Sequence, residues 1–549
     1  MHTIGPFELL VLAATASMLI IPPVWRVAPR LGLVDVPDAR KVHNAPVPRV
    51  GGWGITLGTL VPLFLWRHAD PVVQSYVLGG LVLFVFGVWD DAREIGHWAK
   101  FAGQILAALI VVYYGEVYVT SVPFLGDSTL SPALGRPFTV FALVGAINAV
   151  NHSDGLDGLA AGECLLSLIA LGSLGYLAGS PLVLAVALAA VGGIVGFLRY
   201  NSHPARVFMG DAGSQVLGLT VAFLAVYLTQ VADTAVSVAL VLPAIGLPLA
   251  DILVVLWRRV RGGMNWFRAT RNHVHHRLLD LGFRHYASVV IIYSIQALLV
   301  VSAVLLRYES DLVVMGAYLL VIVGLFTALG WAERRNWRHD LRQGKTTLGR
   351  LSGTLERLAR SRVMRAAPRV LISTAVPTFM LLGSVAVAKV PRDVAIIAAL
   401  LALIVAAEIG RARAVESTLV RLAVYVAAIT SVYLLINYPG GATPRPLQMV
   451  ALVLVGALAA AIGGYVKFVS DDRFGTTPTD YLILFVVLAL LIFGNLDIGV
   501  RGIVEIVVYG VVLLYSCEVL IGLTFRRWNI LHLSTLASLT VMAFRGAGI

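Results

Sequence analysis

The chain has 549 residues, 58% of them hydrophobic and 13% charged, with a mean hydropathy of +0.86 and a formal net charge of +12. That much apolar sequence excludes an ordinary soluble domain and marks an integral membrane protein. The basic excess does not argue for nucleic acid, since the charges sit in short loops between apolar spans, where positive-inside topology and anionic lipid account for them. Cys164 and Cys517 both fall within predicted spans, which argues against a disulfide framework and leaves no cysteine-based zinc site.

A spanning helix needs roughly 20 apolar residues. That rule places spans near 7–27, 52–66, 72–89, 99–114, 136–150, 158–178, 180–198, 212–231, 235–257, 286–306 and 311–333. The first lacks a basic leading segment and a small-residue cleavage site, so it reads as a retained span. Between the fourth and fifth, residues 116–135 alternate in polarity and carry a Gly-Asp turn, predicting a short hairpin on the far side. Residues 334–369 are then basic and poor in apolar content, and spans resume near 370–388, 393–409, 418–436, 447–466, 479–496, 500–523 and 530–545. The predicted fold class is an all-α polytopic integral membrane protein, with about 11 transmembrane helices in a core and about 7 in a C-terminal extension. Its domains are a core over 1–333, a basic cytoplasmic linker over 334–369 and an accessory multi-pass membrane block over 370–549.

Five polar stretches each follow an odd-numbered span, and so share one membrane face. They are Arg40-Lys41-x-His43, Asp90-Asp91, Asn148 to Asp157 (NAVNHSDGLD), Phe208-Met209-Gly210-Asp211 and His273-Val274-His275-His276. Arginines and lysines crowd the same loops and mark that face as cytoplasmic. Paired acids at the end of an apolar helix are costly unless a cation or donors meet them, and Lys100 at the start of the next span can return to the same interface. The bland alternative is a solvated acid pair near Arg93. Asn148 and Asn151 share a helix face, and with Asp154 and Asp157 they form an oxygen-rich set of the kind Mg²⁺ prefers. A polar loop with two Asp-Gly turns is the competing reading, and it leaves the two amides inside an apolar helix unexplained. Asp211 is placed at a helix N-terminus, where backbone N–H groups favour anions, or else simply caps that helix. Histidines 273, 275 and 276, with Arg277, can hold a diphosphate through many donors; a zinc site is the competitor, disfavoured by the flanking arginines. Acids, amides, histidines and cations gathered at one interface suggest an enzyme. A transporter or flippase of a lipid-linked or nucleotide sugar is the alternative, but it would put polar groups near the midplane and show inverted repeats.

Taken in order, the stretch GLVDVPDARKVHNAPVPRVGG (residues 32–52), the Asp-Asp…Lys element, NxxNxxDGxDGL, NxxPAxVFMGDAGS and HVHH resemble the polyprenyl-phosphate N-acetylhexosamine-1-phosphate transferases, over residues 5–333. The HxHH ending is similar to the branch that includes WecA and TagO, not to MraY. The resemblance implies transfer of N-acetylhexosamine-1-phosphate from a UDP-N-acetylhexosamine, GlcNAc as first guess, to a polyprenyl phosphate lipid, giving UMP. It implies Mg²⁺, with Mn²⁺ as an alternative ion, a bacterial inner membrane with the site on its cytoplasmic face, no nucleic-acid partner and a homodimer. Residue by residue, it implies Asn151 and Asp211 as metal ligands, Phe208 stacked on uracil and Asp157 reading its edge. Lys100 and His273, His275 and His276 would hold phosphates and sugar, and Asp90 and Asp91 would sit by the attacking lipid phosphate. Lys41, His43, Asn148, Asp154, Asn201 and Arg277 complete the expected substrate contacts. Two departures, His152-Ser153 and Asn272, fall where nucleotide or sugar is expected.

Overall fold

A computed structural model of the chain describes residues 5–36, 46–123, 129–263, 272–338, 362–410, 418–438, 445–468, 503–523 and 530–548. Among these, eleven helices are long and apolar enough to cross a membrane, or twelve if a bent pair counts as one span. The architecture is all-α and polytopic; the expected span 479–496 lies outside the described residues. The chain divides into two compact units, one drawn mainly from residues 1–341 and the other from residues 342–476 and 490–549.

The first unit runs α1 (Pro6–Val27), α2 (Gly51–Arg67), α3 (Pro71–Arg93), α4 (His97–Leu109), α5 (Pro132–Ser153), α6 (Leu159–Leu177), α7 (Pro181–Asn201), α8 (Asp211–Tyr227), α9 (Val241–Ile245), α10 (Leu247–Arg261), α11 (Val274–Asp280), α12 (His285–Leu305) and α13 (Asp311–Arg334). Its centre is α8, which packs against α2, α3, α5, α6 and α7. Every residue of α8 from Ala212 to Val226 is buried. Small side chains on this helix, Ala212, Gly213, Ser214, Gly218, Ala222 and Ala225, let five neighbours approach closely, as helix packing in lipid requires. Helix ends on one side of this post carry the polar motifs.

Between α1 and α2 the chain makes a small antiparallel ribbon, β1 (Val34–Asp35) with β2 (Val47–Pro48), in the register Val34 to Pro48 and Asp35 to Val47. The ribbon is pinned by an ion pair between Arg49 and Asp35. It extends onto the loop before α8 through the N–H groups of Phe208, Gly51 and Gly52, which donate to Pro48, Phe208 and Met209 carbonyls at 2.8 Å each.

Two elements differ from expectation. No strand forms in the described part of 116–135; Val117 and Val119 turn into the helical core. The Gly-Asp turn lies outside the described residues; the two arms meet where Leu130 N–H donates to the Thr120 carbonyl (2.7 Å), and the extended segment also bonds to a helix side chain, with the Thr120 and Ser121 N–H groups donating to Gln230 Oε1 at 2.9 Å. The predicted span 235–257 is a broken one: a short turn with α9, then α10, bent by 83°. Gly246 at the break has φ +72° and ψ −133°, a conformation that side chains rarely adopt, and Pro248 opens the next helix. The freed backbone groups are satisfied by neighbours, Leu247 N–H donating to Gln296 Oε1 (2.9 Å) and Tyr318 hydroxyl donating to Gly246 C=O (3.2 Å).

The second unit comprises, among the described residues, helices Arg362–Val385, Arg392–Gly410, Thr418–Asn437, Arg445–Phe468, Ile503–Leu523 and Ile530–Ala547. The first of these begins inside the stretch expected to be linker. Its core includes Phe379, Val424, Leu458, Leu513 and Leu539. The Met380 carbonyl accepts hydroxyls from Ser431 (3.2 Å) and Ser538 (3.0 Å), joining three helices.

Candidate active site

Four helix ends meet around one lysine. Asp90 comes from the last turn of α3, Lys100 from the start of α4, Asn151 from the last turn of α5 and Asp211 from the first residue of α8. The Lys100 ammonium bridges Asp90 Oδ2 (2.8 Å) and Asp211 Oδ2. Asn151 Nδ2 donates to Asp211 Oδ1 (3.0 Å) and Ser214 Oγ (2.8 Å), which leaves its carbonyl oxygen with no donor among the described residues. Two acids and a lysine at an apolar helix junction would be strongly unfavourable if unpaired; here each is met by a charge or a donor.

Asp91 is not at the same task as Asp90. It is 6% exposed, and its two oxygens accept the backbone N–H of Asp211 (3.0 Å) and Ala212 (3.2 Å). Gly213 and Ser214 N–H donate to the Gly210 carbonyl at 3.2 and 3.1 Å. All four initial N–H groups of α8 are thereby taken, two of them by a carboxylate from another helix. Gly210, at φ +71°, lets that carboxylate in: an added Cβ would come within 2.5 Å of Asp91 Oδ2. The expectation that Asp91 faces the lipid phosphate is corrected accordingly, and so is the reading of Asp211 as a helix start open to an external anion.

A second cluster lies at the DGLDG loop. Asp157 Oδ2 accepts from His203 Nδ1 (2.6 Å) and Ala205 N–H (3.1 Å), while Asp157 N–H donates to His285 Nε2 (3.1 Å). Burial works to raise the Asp157 carboxyl, but the His203 hydrogen bond, nearby His285 and the Ala205 N–H outweigh it and hold it below the usual carboxylate range. Asp157, His203 and His285 are close enough to ligate a metal, with ligand atoms within 4.8 Å of one another. Each of those atoms already has a hydrogen-bond partner and the two rings stack at 4.2 Å, so the group reads as a clamp on the DGLDG loop. Asn201 is likewise committed: Oδ1 accepts Gly158 N–H (2.7 Å) and Nδ2 donates to Val207 C=O (2.8 Å). It positions two loops instead of facing a substrate. Phe208 is half-buried on the strand-like segment paired with Gly51. Asp154 is exposed at the start of the DGLDG loop.

The histidine loop packs beside the end of α5 and the DGLDG loop. His273 Nδ1 pairs with Asp251 Oδ2 (2.8 Å), and Val274 N–H donates to Asp251 Oδ1 (3.0 Å), so an acid of α10 fixes the start of α11. The His273 ring lies 5.8 Å from that of His152, next to Asn151. His275 sits against Gly155, where an added Cβ would come within 2.2 Å of Nε2. His276 packs on His275 with ring centroids 4.2 Å apart. Arg277 turns away: it is 4% exposed, and Nε donates to Glu333 Oε1 (2.5 Å) of α13. That bond ties α11 to α13. Lys41 and His43 lie outside the described residues.

Two amides that the motif reading passed over complete the picture. Asn148 pairs with Gln104, and Gln104 with Gln215, which donates to Asp211 Oδ2 (3.2 Å). The signal was present: Gln104 stands four residues after Lys100 and Gln215 four after Asp211, on the same helix faces. Around Asp211 the donor set is Asp90, Asp211 and the Asn151 carbonyl, oxygen throughout, which fits a hard divalent cation better than zinc.

Fold and site together define a polytopic membrane transferase with an oxygen-lined, lysine-bridged centre. Residues 73–229 match the model of Glycosyl transferase family 4. The chain is 32% identical over 311 residues to the protein named "Probable undecaprenyl-phosphate N-acetylglucosaminyl 1-phosphate transferase" of Bacillus subtilis (strain 168), covering 56% of this chain and 86% of that one. It is 33% identical over 365 residues to decaprenyl-phosphate N-acetylglucosaminephosphotransferase of Mycobacterium tuberculosis (strain H37Rv), covering 60% and 89%. With undecaprenyl-phosphate alpha-N-acetylglucosaminyl 1-phosphate transferase of Escherichia coli (strain K12) the identity is 31% over 320 residues, covering 57% and 87%. The chain belongs to the polyprenyl-phosphate N-acetylhexosamine-1-phosphate transferase family.

Proposed function

We propose that this protein transfers N-acetylglucosamine-1-phosphate from UDP-GlcNAc to a polyprenyl phosphate, as a first membrane step of cell-envelope polysaccharide synthesis. In this reading it lies in a bacterial inner membrane with the site on the cytoplasmic face, a reading supported by the basic loops. The observation that carries the proposal is the Lys100 ammonium held between Asp90 and Asp211, beside the unengaged Asn151 oxygen.

The reaction brings one anion against another. An oxygen of the lipid phosphate attacks the sugar-bearing phosphorus, the diphosphate bond breaks, and UMP leaves with the bond electrons. Asp211 and the Asn151 oxygen would hold Mg²⁺, or Mn²⁺, which supplies charge neutralisation to the phosphoryl oxygens. Lys100 neutralises acid and phosphate charge in the same small volume. His275 faces the DGLDG loop from α11 with His276 packed on it, and in this reading the two supply donors to phosphate and sugar. Asp157 and its histidines keep that loop in shape for the nucleotide. A phosphate monoester has its second pKa near 6, so the acceptor is mostly dianionic at neutral pH and needs orientation more than deprotonation; that task falls to Asp90.

The test is UMP release by purified protein in detergent, with polyprenyl phosphate, Mg²⁺ and a panel of UDP-sugars. Lipid- and cation-dependent UMP from UDP-GlcNAc, reduced at least ~100-fold in Asp211→Asn, is the expected result. Folded protein that releases no UMP from any donor would refute the reading.

A further inference from the structure

The Asp211 carboxylate is set by more than the groups that touch it. Behind it, three amides from three helices form one continuous hydrogen-bonded chain. Asn148 of α5 donates through Nδ2 to the Val144 carbonyl (2.8 Å) and to Gln104 Oε1 (2.7 Å). Gln104 of α4 donates through Nε2 to Asn148 Oδ1 (3.4 Å) and to Gln215 Oε1 (3.2 Å). Gln215 of α8 donates through Nε2 to Asp211 Oδ2 (3.2 Å). Gln104 is 2% exposed and Gln215 1% exposed, so water does not stand between the two glutamines.

The chain has a direction, and its far end fixes it. A backbone carbonyl can only accept, so Asn148 must turn its NH₂ group toward Val144 and Gln104. Gln104 must then present oxygen to Asn148 and nitrogen to Gln215, and Gln215 must present oxygen to Gln104 and nitrogen to Asp211. Flipping any one amide would set donor against donor or acceptor against acceptor in a dry place, which is costly. A neutral relay of this kind can hold a carboxylate without adding charge to a site that must receive a cation and two phosphates. Lys100 shares Asp211 Oδ2 with Gln215, and Asn151 holds Oδ1, so the relay locks rotation of that carboxylate about its bond to the chain.

We infer that Gln104 and Gln215 are positioning residues: a polarised amide relay, anchored on the Val144 carbonyl, orients Asp211 for the divalent cation. The inference rests on the reading of Asp211 as a metal ligand. Neither glutamine touches cation or substrate in this scheme.

The experiment is a Mn²⁺ titration of full-length protein in detergent, with free Mn²⁺ read from its electron-paramagnetic-resonance signal and melting temperature followed in parallel. Gln215→Met and Gln104→Met should each raise the Mn²⁺ dissociation constant about tenfold. Because the relay runs in series, the double variant should bind no worse than Gln215→Met alone. A packing role would lower the melting temperature and leave Mn²⁺ affinity in place. If Gln104→Met does not fold, Gln104→Glu replaces it; its carboxylate still accepts from Asn148 but cannot donate to Gln215, and the same loss is expected. Unchanged Mn²⁺ affinity in the glutamine variants, with binding lost in Asp211→Asn, would overturn the relay alone. Binding retained by Asp211→Asn, or absent from the unmutated chain, would remove the metal reading and the relay with it.

Discussion

Asp90 and Asp91 are neighbours in sequence and do different physical work. Asp90 meets Lys100 at 2.8 Å, whereas Asp91 turns inward to hold the start of α8. Substitutions should separate them. Asp90→Asn should leave melting little changed and transfer slow at every pH from 6 to 9, because orientation and not proton removal is lost; recovery above pH 8 would favour a base instead. Asp91→Ala strands two buried N–H groups and should cost about 1–3 kcal/mol, seen as a lower melting temperature in detergent whether or not substrate is present. Adjacent letters could not announce this division, since the partner backbone lies 120 residues away. Spacing reports which side chains share a helix face, and it served well for Asn148 with Asn151. It is silent on where an amide or carboxylate is already spent, which is why Asn201 reads as a substrate contact.

At the scale of elements, hydrophobic length located the helices of the first unit closely, and the two departures share a cause. Apolar content measures burial, not straightness. Val117 and Val119 are apolar because a helical core covers them, and an alternating pattern looks the same whether the cover is a strand or a helix. The run 235–257 is apolar throughout, yet Gly246 followed closely by Pro248 breaks it, with Gln296 and Tyr318 stationed on α12 and α13 to satisfy the break. Gly246→Ala should be poorly tolerated, since its φ is +72° and the new Cβ would lie 2.2 Å from Gln296 Oε1. Gln296→Leu should cost about 1–3 kcal/mol by leaving Leu247 N–H unpaired. Both variants should also slow transfer, because α10 carries Asp251, which seats the histidine loop. Normal turnover with a lowered melting temperature would show that the bend serves stability alone.

For the whole molecule, every described group of the candidate site comes from the first unit, and the second has its own core around Phe379 and Val424. A chain ending near residue 341 is therefore expected to retain UMP release within about threefold of the full protein; loss of activity in a folded truncation would give the second unit a part in the reaction. The filled start of α8 has a consequence for how such an enzyme lives among competing anions. Helix starts are common seats for phosphate, and a protein that handles two phosphates would be expected to use one. Here the seat is occupied by Asp91, so stray inorganic phosphate finds no ready-made cradle and must compete for side-chain cations alone. Millimolar phosphate should inhibit the intact protein weakly, which titration of UMP release at constant ionic strength would reveal. Selectivity for a tethered acceptor over abundant free phosphate would then begin with a site the protein has closed to visitors.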